Sequence, residues 1–496
     1  MVTDAQSRVI TVRSPATGES LGEVAITSAA GVKAAVDRAR AAQAAWGDLP
    51  VRERCRRIKA FRKAVLREAE NLTAHLAREN GKPRLEALLH DILPLTLTLG
   101  YFGRRAPQIL RPRRIDSFIL KNRASYLHYR PRGVIGIIAP WNFPLFLSLA
   151  DAVMALIAGN AVVVKPSEVT PLITLRAKEL WDGAGLPPDL LQVVPGGAET
   201  GKALIEAGPD HIVFTGSVAS GRKVAVACAE RSISCSLELG GKAAAIVRHD
   251  ADLEQTARAL VWGAFANSGQ CCASVERVYA ARSLYTPLVR RITELTRSLR
   301  QGDPSAGPCD VGSLTFPRQL DVAREQVADA IAGGATLETG GERIGEKGMY
   351  FAPTVLSGVR QEMRVMREET FGPILPIMPV DSDAEALKLA NDSHLGLGGY
   401  VFGRDIPEAL RVAEHIDAGS VMINDVIFHA GLPEMPWGGV KQSGIGRVHS
   451  ETGLLEMVNV HHVNYPRFGL PITPWWYPYQ EVVYQAFLKG LRLLFG

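Results

Sequence analysis

From residue 131 onward, short apolar runs recur along the chain: VIGIIAP (134–140), AVVVKP (161–166), LQVVPG (191–196), HIVFTGS (211–217) and SCSLELGG (234–241). Most are bounded by Gly or Pro, and helix-length segments such as PLFLSLADAVMALIAG and PLITLRAKELWDGAG lie between them. Strands that lack strict polar alternation and are separated by helices belong to a parallel sheet covered on both faces. The pattern predicts an α/β fold, with a doubly wound parallel-sheet domain of the nucleotide-binding kind.

The rest of the chain is organised around that block. With 496 residues, two or three domains are expected. Residues 28–89 read as helices, with Val32, Val36, Ala39 and Trp46 on one face and Ile58, Phe61, Val65 and Leu66 continuing it. Residues 241–450 form a second α/β region with its own apolar runs, RVYAA, GGYVFG and GSVMIND. Residues 114–131 alternate like strands and suggest a hairpin projecting from the body.

Charge and cysteine usage exclude several function classes. A net charge of +5 is small for this length, and no basic stripe interleaved with aromatics appears, so nucleic acid is not an expected partner. The local cluster Arg104, Arg105, Arg111, Arg113 and Arg114 fits a solvated or interface face. The six cysteines show no CxxC pair and no His cluster at zinc spacing, so no metal site is expected and a reducing, cytoplasmic setting is. The N-terminus lacks the features of a signal peptide, and no run is long enough to cross a bilayer.

Polar residues stand where the buried strands should end. PWNFP places Asn142 past one strand, KPSE places Lys165 and Glu168 past the next, FTGSVASG places Gly216, Ser217 and Gly221 at a strand-to-helix turn, and LELGGK places Glu238 near the end of another strand. Ligands of open α/β sheets bind beyond the carboxyl ends of the strands, so these stretches point at one crevice. Further on, FANSGQCCAS carries two adjacent thiols, Cys271 and Cys272. Singly, each has a bland reading: a turn glycine, a solvated carboxylate, a small buried hydrophobe.

In combination these motifs resemble the aldehyde dehydrogenase superfamily, of the hydrolytic NAD(P)-dependent type. The resemblance runs from SPATGESLGEV (14–24) through PWNFP, KPSE, FTGS, LELGGK, FANSGQCC and EETFGP (368–373) to PWGGVKQSGIGR (436–447). It implies oxidation of an aldehyde to a carboxylic acid, with Cys272 as nucleophile and Cys271 packing beside it. The oxyanion would be held by the Asn142 amide and the Cys272 backbone N–H, and Glu238 would be the general base for deacylation. The same resemblance places Trp141, Lys165, Glu168, Gly216, Ser217, Gly221, Leu239, Glu369 and Phe371 around the cofactor. The Lys165–Glu168 pair favours NAD, with NADP as the alternative. The presence of Glu238 favours release by water over release by CoA. It further implies an NAD-binding domain from 1–113 and 132–240, a catalytic domain from 241–450, and a bridging β element from 114–131 and 451–470. An unpaired edge in that element predicts a homodimer or homotetramer.

Two stretches bear on the substrate. NDVIFHAGLPEM (424–435) holds Ile427, Phe428, Leu432 and Met435 but no Lys or Arg, and Phe143, Leu145 and Phe146 follow Asn142. They read as core packing or as the wall for an uncharged aliphatic or aromatic aldehyde. The alternatives are a charged semialdehyde or phosphorylated aldehyde, and a silent structural or binding member. Residues 471–496 predict an amphipathic helix, with Tyr484, Phe487, Leu488, Leu491, Leu494 and Phe495 on one stripe and Glu481, Gln485, Lys489 and Arg492 opposite. It would dock on a second subunit, cap the substrate tunnel or lie on a membrane surface.

Overall fold

The computed structural model describes residues 9–469, 473 and 475–496. The chain divides into a larger unit, Met1–Ile109 with Pro131–Asn459, and a smaller one, Leu110–Arg130 with Val460–Gly496.

In the larger unit, Val134–Ile138 and Ala161–Lys165 are buried along their whole length, as runs without polar alternation require. With Leu191–Val193, His211–Thr215 and Ser234–Glu238 they form five parallel strands in the order 191, 161, 134, 211, 234 by first residue. Gly444–Ile445 adds an antiparallel edge beside Ser234–Glu238. The winding reverses between Val134–Ile138 and His211–Thr215, which puts a crevice beyond their carboxyl ends.

A second sheet of seven strands centres on Ile374–Val380, Arg277–Ala281 and Ala244–Val247. It is parallel except for Thr336–Thr339, which pairs antiparallel with Thr354–Ser357. Residues 239–243 lead directly from Ser234–Glu238 of the first sheet to Ala244–Val247 of the second. The LELGGK stretch is therefore the hinge of covalent structure between the two sheets.

Helices cover the sheets, and their ends are tied by buried carboxylates. Ala29–Gly47 starts on Ser28, whose side chain accepts from the Gly31 N–H, and buries Val32, Val36, Ala39 and Trp46. Val51–Arg67 buries Ile58, Phe61 and Val65, but Leu66 is 48% exposed, so the sequence stripe ran one residue too wide there. Glu79 accepts from the Leu172 and Ile173 N–H groups at the start of Leu172–Gly183. Asp91 does the same for Leu145 and Phe146 at the start of Pro144–Ala158.

The smaller unit holds most of a three-stranded sheet of Val458–Pro466, Arg123–Pro131 and Arg113–Ile115, in that order. Arg113–Ile115 and Arg123–Pro131 are antiparallel. Its last element is the helix Glu481–Phe495. Of the expected tail, 471, 472 and 474 lie outside the described residues, as do 1–8 at the other end.

Candidate active site

Trp141 and Asn142 follow directly on Val134–Ile138, and Lys82 fixes their position. Its ammonium donates to Asp91 Oδ2 at 2.8 Å and to the Asn142 carbonyl at 2.7 Å, in a place with no solvent access to either charged side chain. Such a pair is costly to desolvate, and it is supported by the Asn142 carbonyl and by the Phe143 ring, whose centroid lies 4.4 Å from the ammonium. Asp91 spends its other oxygen on the helix start, so one buried carboxylate sets both the helix and the loop before it. The Asn142 side-chain amide donates to the Gln270 carbonyl at 3.1 Å.

Gln270 belongs to the loop carrying the thiols. After Leu253–Phe265 the backbone turns through positive φ at Asn267 (51°), Ser268 (55°) and Gly269 (74°). A side chain at Gly269 would place its Cβ 2.2 Å from the Gly372 carbonyl oxygen, so only glycine fits. Asn267 donates to Glu86 through its backbone and to the Asn142 carbonyl through its amide, at 2.8 and 3.0 Å. Gln270 accepts from the Thr315 N–H at 2.7 Å. The loop is thus held in a strained turn from several sides. Cys271 is buried and Cys272 is partly open, and both reach one cavity. The Cys272 thiol is pushed well above its ordinary pKa, first by its hydrogen bond with Cys271, then by burial and by the charges of Glu238 and Glu369. It is protonated at neutral pH and needs a base.

Glu238 lines the same cavity at the end of its strand. Neither carboxyl oxygen has a hydrogen-bond partner among the described residues, and the residue is 5% exposed. Burial raises its pKa well above the ordinary value, the charge of Asp151 raises it further, and Arg447 opposes both. The main chain next to it is fixed by the Leu239 N–H donating to Ser443 O at 2.9 Å.

The EETFGP turn is placed by a second buried pair. Lys242 bonds Glu276 at 2.7 Å, and Glu276 accepts from the Thr370 and Phe371 N–H groups. Phe371, at φ 48°, meets the Trp141 ring edge-on at 5.4 Å. Glu369 accepts from the Gly241 N–H at 2.8 Å, and burial followed by the charge of Glu276 pushes it up to about 8.

The remaining predicted cofactor residues lie along the carboxyl edge of the first sheet. Lys165 closes its strand and donates to the Gly196 carbonyl at 3.0 Å and to Glu168 at 3.5 Å; the Glu168 carboxylate is half exposed. Ser217 caps Val218–Ala229, its side chain accepting from the Ser220 N–H. Gly221 is needed for packing, because a Cβ there would stand 2.4 Å from Leu239. An exposed helix start, a cation and an accessible carboxylate beside a switch-point crevice fit a dinucleotide: amide donors for its phosphates and an acceptor for a ribose hydroxyl.

Comparison with known proteins decides the family. Residues 2–463 match the model of the aldehyde dehydrogenase family. The chain belongs to this family. A 4,4'-diapolycopene aldehyde oxidase of Methylomonas sp is 40% identical over 97% of this chain and 91% of its own length. A Mycolicibacterium smegmatis protein named for NADP(+)-linked succinate-semialdehyde dehydrogenase activity is also 40% identical, over 89% of this chain and 85% of its own. Among solved structures, a Mycobacterium tuberculosis aldehyde dehydrogenase complexed with NAD+ superposes with a TM-score of 0.88 at 36% identity, covering 95% of this chain and 96% of the other. The protein is an NAD(P)-dependent aldehyde dehydrogenase with the α/β fold expected of it.

The cavity of this aldehyde dehydrogenase has walls the motifs did not disclose. Leu89, Leu93 and Leu97 come from the segment 84–109, where a single π-helical stretch, Leu88–Ile92, interrupts the α-helix. Trp262 closes one side, and Phe143, Phe146, Ile427, Phe428 and Leu432 appear as the sequence suggested. Leu145 is buried elsewhere, and Met435 is exposed and outside the lining. Among the described residues, no Lys or Arg lines the cavity. Its ionisable members besides the thiols are Asp151, Glu238 and two histidines, His90 and His449. Burial holds these imidazoles down, at about 3 for His90 and about 4 for His449, so both are neutral.

Lys82, Asp151 and His449 escaped the sequence reading. Lys82 stands between Gly81 and Pro83, a setting that marks a break between helices and carries no mark of a site residue. Asp151 is the lone carboxylate in an otherwise apolar helix, a pattern that marks a buried polar group needing a reason.

Proposed function

We propose that this aldehyde dehydrogenase oxidises uncharged, apolar aldehydes to carboxylic acids with NAD, NADP being the alternative acceptor. The carrying observation is the cavity in front of Cys272. Its walls are mostly Leu, Phe and Trp, no Lys or Arg among the described residues lines it, and its two carboxyls cannot pair with a substrate carboxylate. The name of the Methylomonas relative points in the same direction.

In this reading Glu238 takes the Cys272 proton as Sγ adds to the aldehyde carbon. The carbonyl oxygen becomes an oxyanion that accepts from the Asn142 side-chain amide and the Cys272 backbone N–H. When bound between Trp141, Glu369 and Phe371, the nicotinamide supplies the acceptor for the hydride that leaves this carbon. The residue of the aldehyde is then a thioester on Cys272. Glu238 gives the thiol proton up to solvent and then draws a proton from a water whose oxygen attacks the thioester; the carbon–sulfur bond breaks, and Glu238 passes that proton to the sulfur. Lys165, Glu168, Gly216, Ser217, Gly221 and Leu239 hold the remainder of the dinucleotide.

Residues 1–113 and 132–240 form the cofactor domain in this proposal, and 241–450 the catalytic one. The exposed outer strand Val458–Pro466 supports assembly into a homodimer or homotetramer through 114–131 and 451–470. Six free cysteines support a cytoplasmic setting. No described helix is long and apolar enough to cross a membrane, and residues 471–496 make at most peripheral contact with one.

The test is NADH formation over a panel of hexanal, decanal, benzaldehyde and succinic semialdehyde, with NADP run in parallel. Expected is a kcat/KM for decanal at least about tenfold above that for succinic semialdehyde, from several apolar methylene contacts. A preference for succinic semialdehyde would replace this substrate class with the charged one.

A further inference from the structure

The helix Glu481–Phe495 has no buried residue, and its apolar side chains face water: Val482 at 69%, Phe487 at 50%, Leu491 at 56%, Leu493 at 84% and Phe495 at 65% exposure. The sequence stripe underestimated it. Glu481, Gln485, Lys489 and Arg492 fall at i, i+4, i+8 and i+11, one narrow polar strip, and Val482 and Leu493 extend the apolar side beyond the six residues first assigned. At ~100° per residue, the apolar arc covers about two thirds of the circumference. A helix that docks on a soluble partner shows a stripe somewhat over 100° wide and leaves the remainder polar. One protein surface would leave much of this arc in water, whereas an acyl-chain environment covers all of it.

Three further observations identify the occupant. Trp475, Trp476, Tyr477 and Tyr479 precede the helix and are 46%, 69%, 82% and 70% exposed, the residue types that settle at the headgroup level of a bilayer. The smaller unit carries nine Lys and Arg against two Asp and Glu, a net +7 in a chain whose total is +5, so the rest of the protein is slightly acidic. The helix has 15 residues, about 22 Å, too short to span a hydrocarbon core of about 30 Å.

We infer that Glu481–Phe495 and the aromatic residues 475–479 form an in-plane anchor for an anionic lipid bilayer, with Lys489 and Arg492 facing the lipid phosphates. This rests on the reading of 471–496 as a peripheral membrane contact and adds its lipid chemistry, its inserted residues and its in-plane mode. The apolar arc sinks into the acyl boundary while the polar strip stays at the headgroups. Each basic residue near the surface strengthens attachment to an anionic leaflet and not to a zwitterionic one.

The test uses the full chain and two kinds of vesicle, phosphatidylcholine alone and phosphatidylcholine mixed with phosphatidylglycerol, read by co-sedimentation. Expected is binding to the mixed vesicles at least about tenfold stronger than to phosphatidylcholine alone, weakened by salt. Phe487→Glu with Leu491→Glu should abolish binding, and Lys489→Gln with Arg492→Gln should remove the preference for the anionic vesicles. Hexanal oxidation and gel-filtration volume should be unchanged in both variants. Equal binding to both vesicles overturns the anionic inference and leaves peripheral contact standing; no binding to either overturns both. If Phe487→Glu with Leu491→Glu dissociates an oligomer while vesicle binding is absent, the occupant is a second copy of the chain and the inference fails.

Discussion

Asp151 and Glu238 are two buried carboxyls on the wall of one cavity, and the charge of Asp151 raises the proton affinity of Glu238. Asp151 itself has an oxygen without a hydrogen-bond partner among the described residues, and burial pushes it up to about 7. A base whose like-charged neighbour titrates near neutrality works only as fast as the pair gives up protons.

Asp151→Asn removes that neighbour and keeps its size. The pKa of Glu238 should fall, so the rising limb of kcat against pH should move to lower pH. A profile of steady-state NADH formation from pH 5.5 to 9 checks this; a limb that stays put, or moves up, would separate Asp151 from the base.

The two thiols should divide cleanly. Cys272→Ala should abolish NADH formation while NAD binding, read by protein fluorescence, survives. Cys271→Ala should keep most of the rate and lower the pKa of Cys272, because the hydrogen bond to Cys271 is the largest cause raising it. Titration of thiol alkylation against pH reports the second effect.

Folding stability should be highest on a plateau from about pH 4.5 to 6.5, where two effects of opposite sign offset each other. Glu86 and Asp151 sit near 7 and Glu369 near 8, all raised in the folded protein, so their contribution is complete below the ordinary carboxyl range and is lost as pH rises through 7 to 8. His90, His429 and His449 lie at about 3 to 4, depressed in the folded protein. The stability they bring is present above their ordinary value of about 6.5 and is lost as pH falls towards 4. Thermal midpoints across pH 4 to 9 should trace that plateau and its falling flanks, and Asp151→Asn should flatten the alkaline flank.

Lys82→Met should cost more than its distance from the thiol suggests. It leaves Asp91 charged and unpaired in a dry place, a loss of ~3–5 kcal/mol, and frees the Asn142 carbonyl. Both the thermal midpoint and kcat should fall. Lys82→Met with Asp91→Asn should recover part of the midpoint but little of the rate.

A cation on the cavity wall should change the substrate class. Phe428→Arg places one on a half-exposed lining residue. The ratio of kcat/KM for succinic semialdehyde over hexanal should rise by about tenfold or more; an unchanged ratio would mean that the wall does not select.

Features written as local patterns were legible in the sequence. The parallel strands announced themselves because a strand buried on both faces has no polar alternation, and the helix Ala29–Gly47 because Val32, Val36 and Trp46 recur at helical spacing. Cys272 and Glu238 were legible only through the company of other motifs, since neither a cysteine nor a glutamate carries a local mark of its task. Lys82 and Asp151 act through partners 60 and more residues away in the chain, Asn142 and Glu238, and no period or spacing encodes such a meeting. Leu89, Leu93 and Leu97 look like any apolar helix face until the π-helical stretch at Leu88–Ile92 turns them towards the cavity. In the tail the six-residue stripe and the polar strip opposite were legible, and Val482 and Leu493 on its flanks were not, because a helix apolar around most of its circumference has no sharp edge to its stripe.

The glycine contacts set the routes by which this enzyme could diversify. A Cβ at Gly241 would lie 2.4 Å from the Cys272 carbonyl oxygen, and one at Gly240 would lie 2.6 Å from a Glu369 oxygen. Together with Gly269 they leave no room for drift where the two sheets meet around the thiol. Leu89, Leu93, Leu97, Trp262 and Phe428 bear on the same cavity from helices and a loop that share none of this crowding. A lineage descended from this chain can therefore trade one aldehyde for another by exchanging bulk along that wall, while the reaction itself stays locked in place.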